Sequence, residues 1–241
     1  MNNLWKTTKY LLGSLVGMII IGSVSILANA IFADIILYFN QKNGMMMGEQ
    51  TFGNLEGTAA VFVVIVGIIF FYIQFKVLLA NGVSRKTFFW ANLPIFAVIS
   101  AIFALFITLV TILHRFFIPM ITVSQKIYTG TNLFDSTIIQ FAAYFFCGVL
   151  GWLIFLAYYR SNAAMRWVIT LAPFGLVGLL FVLDSAVGGK ISLAIGEFLS
   201  AVMGFAGSVP NPYIGVLSLL VLAAGINWVN YLLIRRAPLK G

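Results

Sequence analysis

Charged residues are scarce in this sequence of 241 residues: they make up 8% of it, whereas hydrophobic residues make up 62%. A soluble domain of this length carries about a quarter charged residues, so a water-exposed globule is excluded. The apolar character is uniform along the sequence, and no polar stretch marks a second domain. We therefore expect residues 1–241 to form a single transmembrane domain.

Side chains that commonly carry catalysis or bind metals are also rare. The sequence contains one cysteine, Cys147, and one histidine, His114, so it has no internal disulfide and no cluster of His and Cys ligands for a metal. Three consecutive methionines at 45–47 favour an adaptable loop over a copper site. No glycine-rich phosphate loop ending in Gly-Lys-Ser or Gly-Lys-Thr is present. We expect this chain to contain no catalytic site, no cofactor and no metal.

Six long apolar runs fill most of the sequence. A membrane-crossing helix needs about 20 mostly apolar residues, and the backbone of a lipid-exposed segment is satisfied only in helices or closed barrels. The runs are rich in Ile, Leu, Val, Phe and Ala and lack the alternation typical of barrel strands. We therefore predict an all-α membrane protein with six transmembrane helices, at about residues 11–38, 58–79, 91–113, 137–159, 167–186 and 213–234.

Basic residues are unevenly divided between the two sides of this arrangement. Ten of the fourteen Lys and Arg residues fall on the same side as the two termini, and four fall on the opposite side. All six acids also fall on the side opposite the termini. Because cytoplasmic loops are enriched in Lys and Arg, we predict that the N- and C-termini are both cytoplasmic. The net charge of +8 does not indicate nucleic-acid binding, since the basic residues are scattered one or two at a time.

Few polar residues interrupt the predicted spans. Asn29 and Asp34 lie in the outer half of the first span. Because polar side chains at membrane depth are often functional, we name both as candidate translocation-pathway residues. Gly13 and Gly17 have the spacing typical of a close helix contact, with no partner indicated.

The segment at 187–212, between the fifth and sixth spans, is too apolar for a free loop. Glycines divide it into apolar stretches shorter than a span, and Pro210 and Pro212 end it. A re-entrant or interfacial segment fits this pattern, and an ordinary amphipathic surface helix fits it equally well.

A short polar break at 79–92, LANGVSRKTFFWAN, separates the second and third spans. Asn81-Gly82 can end the second span, because glycine adopts the left-handed conformation of a helix C-terminus. Ser84 can then cap a short helix that lies along the membrane surface, with its Phe and Trp residues toward lipid and Arg85 and Lys86 toward the cytoplasm. From the pattern alone, a plain positively charged turn is the favoured interpretation.

The stretch at 82–89, GVSRKTFF, in a six-span chain resembles the first cytoplasmic loop of the permease subunits of ABC-2 type ABC transporters. In that family this loop is a coupling helix that inserts into a cleft of a separate ATP-binding subunit. The resemblance therefore implies an ATPase-coupling loop made of Gly82, Val83, Ser84, Arg85, Lys86, Thr87 and Phe88. It extends more loosely to the six spans and to the segment between the fifth and sixth of them.

The resemblance implies a permease subunit in a bacterial cell membrane, which works as a dimer with an identical or related permease chain among membrane lipids. ATP and Mg would be bound by the partner ATPase. An apolar lining with few charges suits export of a peptide, an antibiotic or another amphipathic or lipid-like substrate. The alternative is a non-transporting membrane scaffold or immunity protein that binds a partner. A channel would require a polar stripe along several spans, and only isolated amides are present.

Overall fold

The computed structural model describes residues 3–43, 50–51, 53–116, 120–207, 209–235 and 237. Over these ranges the regular secondary structure is helical, apart from one short pair of parallel strands. The predicted methionine loop at 45–47 lies outside the described residues. The elements in chain order are α1 (Asn3–Lys42), β1 (Gln50–Thr51), α2 (Gly53–Ala80), α3 (Arg85–Arg115), β2 (Met120–Ile121), α4 (Val123–Ile127), α5 (Leu133–Arg160), α6 (Ala163–Ala186), α7 (Lys190–Val202) and α8 (Pro212–Arg235).

Six of these helices, namely α1, α2, α3, α5, α6 and α8, are long and apolar enough to cross a membrane. The predicted all-α architecture with six such helices is confirmed. Several helices begin at a polar residue whose side chain accepts the backbone N–H three positions later, as Ser84, Asn132 and Asn162 do. These caps satisfy backbone donors that the first helical turn leaves without a partner. The helices therefore extend into polar flanks beyond the apolar runs.

The core is built around α5, which packs against α2, α3 and α8, while α1 packs against α2 and α3. Glycines bring α2 and α5 into backbone contact. A Cβ atom added to Gly67 would lie 2.6 Å from the carbonyl oxygen of Gly148, and one added to Gly151 would overlap the carbonyl oxygen of Val64. The backbones of α2 and α5 are therefore in close contact here. At Gly13 and Gly17 no described atom lies within 4 Å of an added Cβ.

Helices α6 and α7 lie at the edge of the bundle. No residue of α6 is buried, and its main contacts are with α5 and α7. The turn between α6 and α7 is closed by the Asp184 carboxylate, which accepts the backbone N–H groups of Ile191 and Ser192 at 2.9 Å each. Helix α7 has 13 residues, which is too short to cross a bilayer. The segment between the fifth and sixth long helices thus contains one short, exposed helix.

The two ends of the bundle differ in charge. At one end, termed the acidic end, His114 lies 3.1 Å from Asp34, and Tyr213 donates a hydrogen bond to Asp135 at 2.6 Å. All described acids lie there, namely Asp34, Glu56, Asp135, Asp184 and Glu197. At the other end, termed the basic end, the start of α3 meets the end of α8. The described basic residues there are Lys6, Lys9, Lys76, Arg85, Lys86, Arg160, Arg166 and Arg235.

Candidate functional site

The turn between α2 and α3 has the geometry that its sequence predicts. Gly82 has a φ of 78°, in the left-handed region that favours glycine. Its N–H donates to the Leu79 carbonyl at 3.1 Å, and the N–H of Val83 donates to the Leu78 carbonyl at 3.0 Å. This pair of bonds is the Schellman motif that terminates many helices. The predicted end of the second span at Asn81-Gly82 is confirmed.

The predicted cap at Ser84 is also confirmed. Ser84 is extended, with φ −68° and ψ 148°, and its Oγ accepts the backbone N–H of Thr87 at 3.1 Å. The helix that begins there is not a separate surface helix, however. It continues through Pro94 to Arg115. The prediction of a short coupling helix distinct from the third span is wrong, and the predicted coupling residues 85–88 form the first turn of α3.

A continuous buried stripe explains why α3 does not break. Phe88, Asn92, Ile95, Ile99 and Phe103 are all buried, and their spacing of three or four residues places them on one helix face. Burial of this stripe against the bundle holds both sides of Pro94 in the same helix. Proline is tolerated inside membrane helices because neighbouring groups satisfy the freed backbone.

The predicted coupling residues fall into three groups by exposure. Gly82, Ser84 and Lys86 are exposed, whereas Phe88 is fully buried. Val83, Arg85 and Thr87 are partly exposed. The expectation that both phenylalanines face lipid is therefore wrong, since Phe89 is buried as well, but Trp90 is half exposed. Residues 82–87 form the accessible surface, which we term the docking loop.

Phe88 and Phe89 join the docking loop to three other helices. The ring of Phe88 packs edge-on against Phe75 of α2, with centroids 5.3 Å apart. The ring of Phe89 stacks on Trp152 of α5 at 5.4 Å and packs against Tyr231 of α8 at 5.1 Å. Aromatic pairs at these separations are attractive beyond the area that they bury. The docking loop is consequently fixed to the core of the bundle.

Arg85 makes a further connection at the basic end. Its guanidinium donates to the backbone carbonyl of Arg235, at the last residue of α8, at 3.3 Å. A cation near a helix C-terminus also interacts favourably with the helix dipole. Arg85 thus has an internal role that the sequence did not indicate. Lys86 is the basic residue of the docking loop that is fully available to a partner.

The candidate pathway residues Asn29 and Asp34 lie away from the docking loop. The Asn29 amide donates to the Thr58 hydroxyl at 3.3 Å, and Asp34 lies 3.1 Å from His114. These contacts join α1 to α2 and to α3 in the half of the bundle nearer the acidic end. The structure therefore does not bring Asn29 and Asp34 together with residues 82–88.

A groove of about 550 Å³ beside the docking loop was not predicted. It lies between α3, α5 and α8, and its wall includes Lys86, Trp90, Asn227 and Tyr231. Asn227 is 9% exposed, and its side-chain oxygen has no hydrogen-bond partner among the described residues. The sequence marks Asn227 as a rare intramembrane amide, but it carries no sign that Asn227 and Lys86 share one groove.

No protein-family model matches this chain, and neither a curated protein nor a solved structure is significantly similar to it. Within the described ranges, no group of three or more His, Cys, Asp and Glu side chains is placed to hold a metal ion. The features at the basic end that could bind a partner or a ligand are exposed cations, grooves with aromatic walls and one rigid turn.

Proposed function

We propose that this chain is the membrane-spanning subunit of an ATP-driven transporter and that the docking loop binds a separate ATP-binding subunit. The observation that carries the proposal is the exposed, basic turn fixed to the bundle through Phe88 and Phe89. A loop that transmits movement from an ATP-binding subunit must be exposed where the subunit binds and rigid where it joins the helix bundle. The docking loop meets both requirements.

The stiffness has a physical basis in close packing. Close-packed protein interiors have low compressibility and transmit strain. A push on Lys86 would be passed by the first turn of α3 to Phe75, Trp152 and Tyr231, and so to α2, α5 and α8. In an alternating-access cycle this movement would rock the bundle against a second permease chain and open the pathway toward the acidic end. ATP and Mg would be bound by the partner subunit.

Charge and exposure support the remaining parts of the proposal. The basic end faces the cytoplasm in this arrangement, because Lys and Arg mark that side of a bacterial cell membrane. A second permease chain, identical or related, would complete a dimer. The groove beside the docking loop has aromatic walls and one cation, Lys86. Such a groove suits an exported peptide, antibiotic or other amphipathic substrate.

The structure refines the choice of variant for testing the proposal. Arg85→Glu would disturb the contact with Arg235 as well as any docking, and a bulky residue at Gly82 would strain the turn itself. Lys86→Glu changes an exposed side chain that also lines the neighbouring groove, so retention of the ATP-binding subunit, and not transport, is the measure of docking. Lys9→Glu is the matched control, because Lys9 is an exposed cation at the same end but outside the docking loop.

The experiment is a mild-detergent pull-down of the tagged chain from its native membrane, followed by mass spectrometry and by ATP-dependent transport in liposomes. We expect a stoichiometric ATP-binding subunit with the native chain and with Lys9→Glu. The proposed contact pairs Lys86 with an acidic surface of the ATP-binding subunit. Lys86→Glu should therefore lose the subunit more than tenfold, because like charges facing each other across an interface cost several kcal/mol. If no ATPase is retained in several detergents, the proposal fails, and the hypothesis of a non-transporting scaffold or immunity protein is favoured instead.

A further inference from the structure

A second groove, of about 560 Å³, lies where α2, α5 and the start of α6 meet. Its walls are apolar and aromatic and include Ile68 and Tyr72 of α2 and Phe155 of α5. Two cations, Lys76 and Arg166, line the part of the groove that lies at the basic end. We term this feature the Tyr72 groove. Neither the docking loop nor the candidate pathway residues contribute to it.

The Tyr72 groove has the length of one membrane leaflet. Ile68 and Lys76 are eight residues apart on α2, which corresponds to about 12 Å along a helix. The hydrocarbon core of a bilayer is about 30 Å thick, so one leaflet contributes about 15 Å. The apolar wall thus lies at the depth of acyl chains, and the two cations lie near the level of lipid headgroups.

Both cations are held in place by their neighbours. The Lys76 ammonium lies 5.3 Å from the centroid of the Tyr72 ring, a cation–π distance. The Nε of Arg166 donates to the Tyr158 carbonyl at 3.4 Å, and Tyr158 is hydrogen-bonded through its hydroxyl to Thr170. These contacts hold α6 against α5 beside the groove and direct the guanidinium toward its rim.

Neither cation is neutralised within the described chain. Every described acid lies at the acidic end, so no carboxylate of these residues is available to Lys76 or Arg166. Both cations are exposed and can therefore bind an anion from outside the chain. A soluble anion would use the cations alone, whereas the adjoining apolar wall favours a ligand that also has a hydrocarbon chain.

We propose that the Tyr72 groove binds one anionic phospholipid from the leaflet at the basic end. One acyl chain lies against Ile68, Tyr72 and Phe155, and the phosphate lies between Lys76 and Arg166. Guanidinium groups bind phosphate through paired hydrogen bonds, and a lysine adds a point charge. The site does not depend on the proposed transport function, because it uses no residue of the docking loop.

The test is native mass spectrometry of the full chain, purified in detergent with equal amounts of phosphatidylglycerol and phosphatidylcholine. We expect the native chain to retain one phosphatidylglycerol. Each basic residue near an anionic headgroup strengthens binding about fivefold, so Lys76→Gln with Arg166→Gln should weaken retention about 25-fold. The control pair, Lys6→Gln with Lys9→Gln, removes equal charge at the same end outside the groove and should retain the lipid.

A phosphatidylglycerol with a photoreactive group on its acyl chain locates the bound lipid. Crosslinks to peptides of α2 and α5 that include Tyr72 and Phe155 are expected. Equal retention of phosphatidylcholine, unchanged retention in the Lys76 and Arg166 variant, or an equal loss in the control pair would each overturn the proposal. Crosslinks confined to other helices, or a groove occupied by an amphiphile other than a phospholipid, would overturn it too.

Discussion

Replacing Gly67 with alanine tests the close contact between α2 and α5. The added Cβ would lie 2.6 Å from the Gly148 carbonyl oxygen, whereas a close carbon–oxygen contact needs about 3.3–3.6 Å. The two helices must therefore separate by roughly 1 Å, and overpacking of this kind costs about 1–3 kcal/mol. Alanine is favoured over glycine inside a helix by about 1 kcal/mol, which offsets part of that cost. We expect the free energy of unfolding to fall by up to about 2 kcal/mol.

Gly57 provides the matched control for this prediction. It lies in the same helix, and no described atom lies within 4 Å of a Cβ added there, so Gly57→Ala should be neutral or stabilising. The assay is unfolding of the purified chain by titration with a denaturing detergent, followed by tryptophan fluorescence, because Trp152 adjoins the contact. Equal stability of the two variants would refute the close packing.

The double variant sharpens the test of a shared contact. The Cβ added to Gly67 would lie 3.1 Å from the Cα of Gly151, so both positions belong to one contact. Separation of the helices by the first alanine makes room for the second. Gly67→Ala with Gly151→Ala should therefore cost less than the sum of the single changes. Strict additivity would show that the two glycines act in separate contacts.

Three further predictions concern single contacts. Phe88→Ala should lower the free energy of unfolding by about 3–5 kcal/mol because Phe88 is fully buried, whereas Lys86→Ala should change it by less than about 0.5 kcal/mol; similar thermal stabilities would contradict the burial. Burial raises the pKa of Tyr128 above its ordinary value of 10.0. The stabilisation that the neutral Tyr128 side chain provides is therefore complete below pH 10 and is lost as the pH rises through the raised pKa. The free energy of unfolding of Tyr128→Phe should lack this alkaline loss. Asn29→Ala and Thr58→Ala should couple by about 0.6 kcal/mol in a double-mutant cycle, and a coupling of zero would show that the amide–hydroxyl bond does not stabilise the bundle.

Features that depend on short stretches of sequence were predictable. The length of an apolar run is a local property, so the six long helices follow from it directly. The turn at Gly82 and the cap at Ser84 follow from the chemistry of two neighbouring residues. The error at α3 came from treating residues 85–89 as a separate helix on the membrane surface, ahead of a span that begins at about residue 91. The buried spacing of Phe88, Asn92 and Ile95 was present in the sequence and indicates one continuous helix.

Features that depend on helix pairing were not predictable from one sequence. Gly13 and Gly17 have the better-known spacing, yet the close contact uses Gly67 and Gly151, because only the tertiary arrangement decides which glycines meet. The bond from Arg85 to the Arg235 carbonyl joins residues 150 positions apart. The same holds for the Tyr72 groove, whose two cations come from different helices.

The tightness of packing differs between the helices, and it determines which of them would move together when the docking loop is pushed. Helices α2, α3, α5 and α8 are joined by glycine contacts and stacked rings, so they would move as one body when the docking loop is pushed. Helices α6 and α7 have no buried residue and meet the bundle along limited contacts. Relative movement would therefore concentrate between α5 and α6. Arg166 and Thr170 of α6 hydrogen-bond to Tyr158 of α5 at this boundary, beside the Tyr72 groove. A phospholipid bound there would hold α6 to the rest of the bundle, and removing it would loosen the junction between α5 and α6.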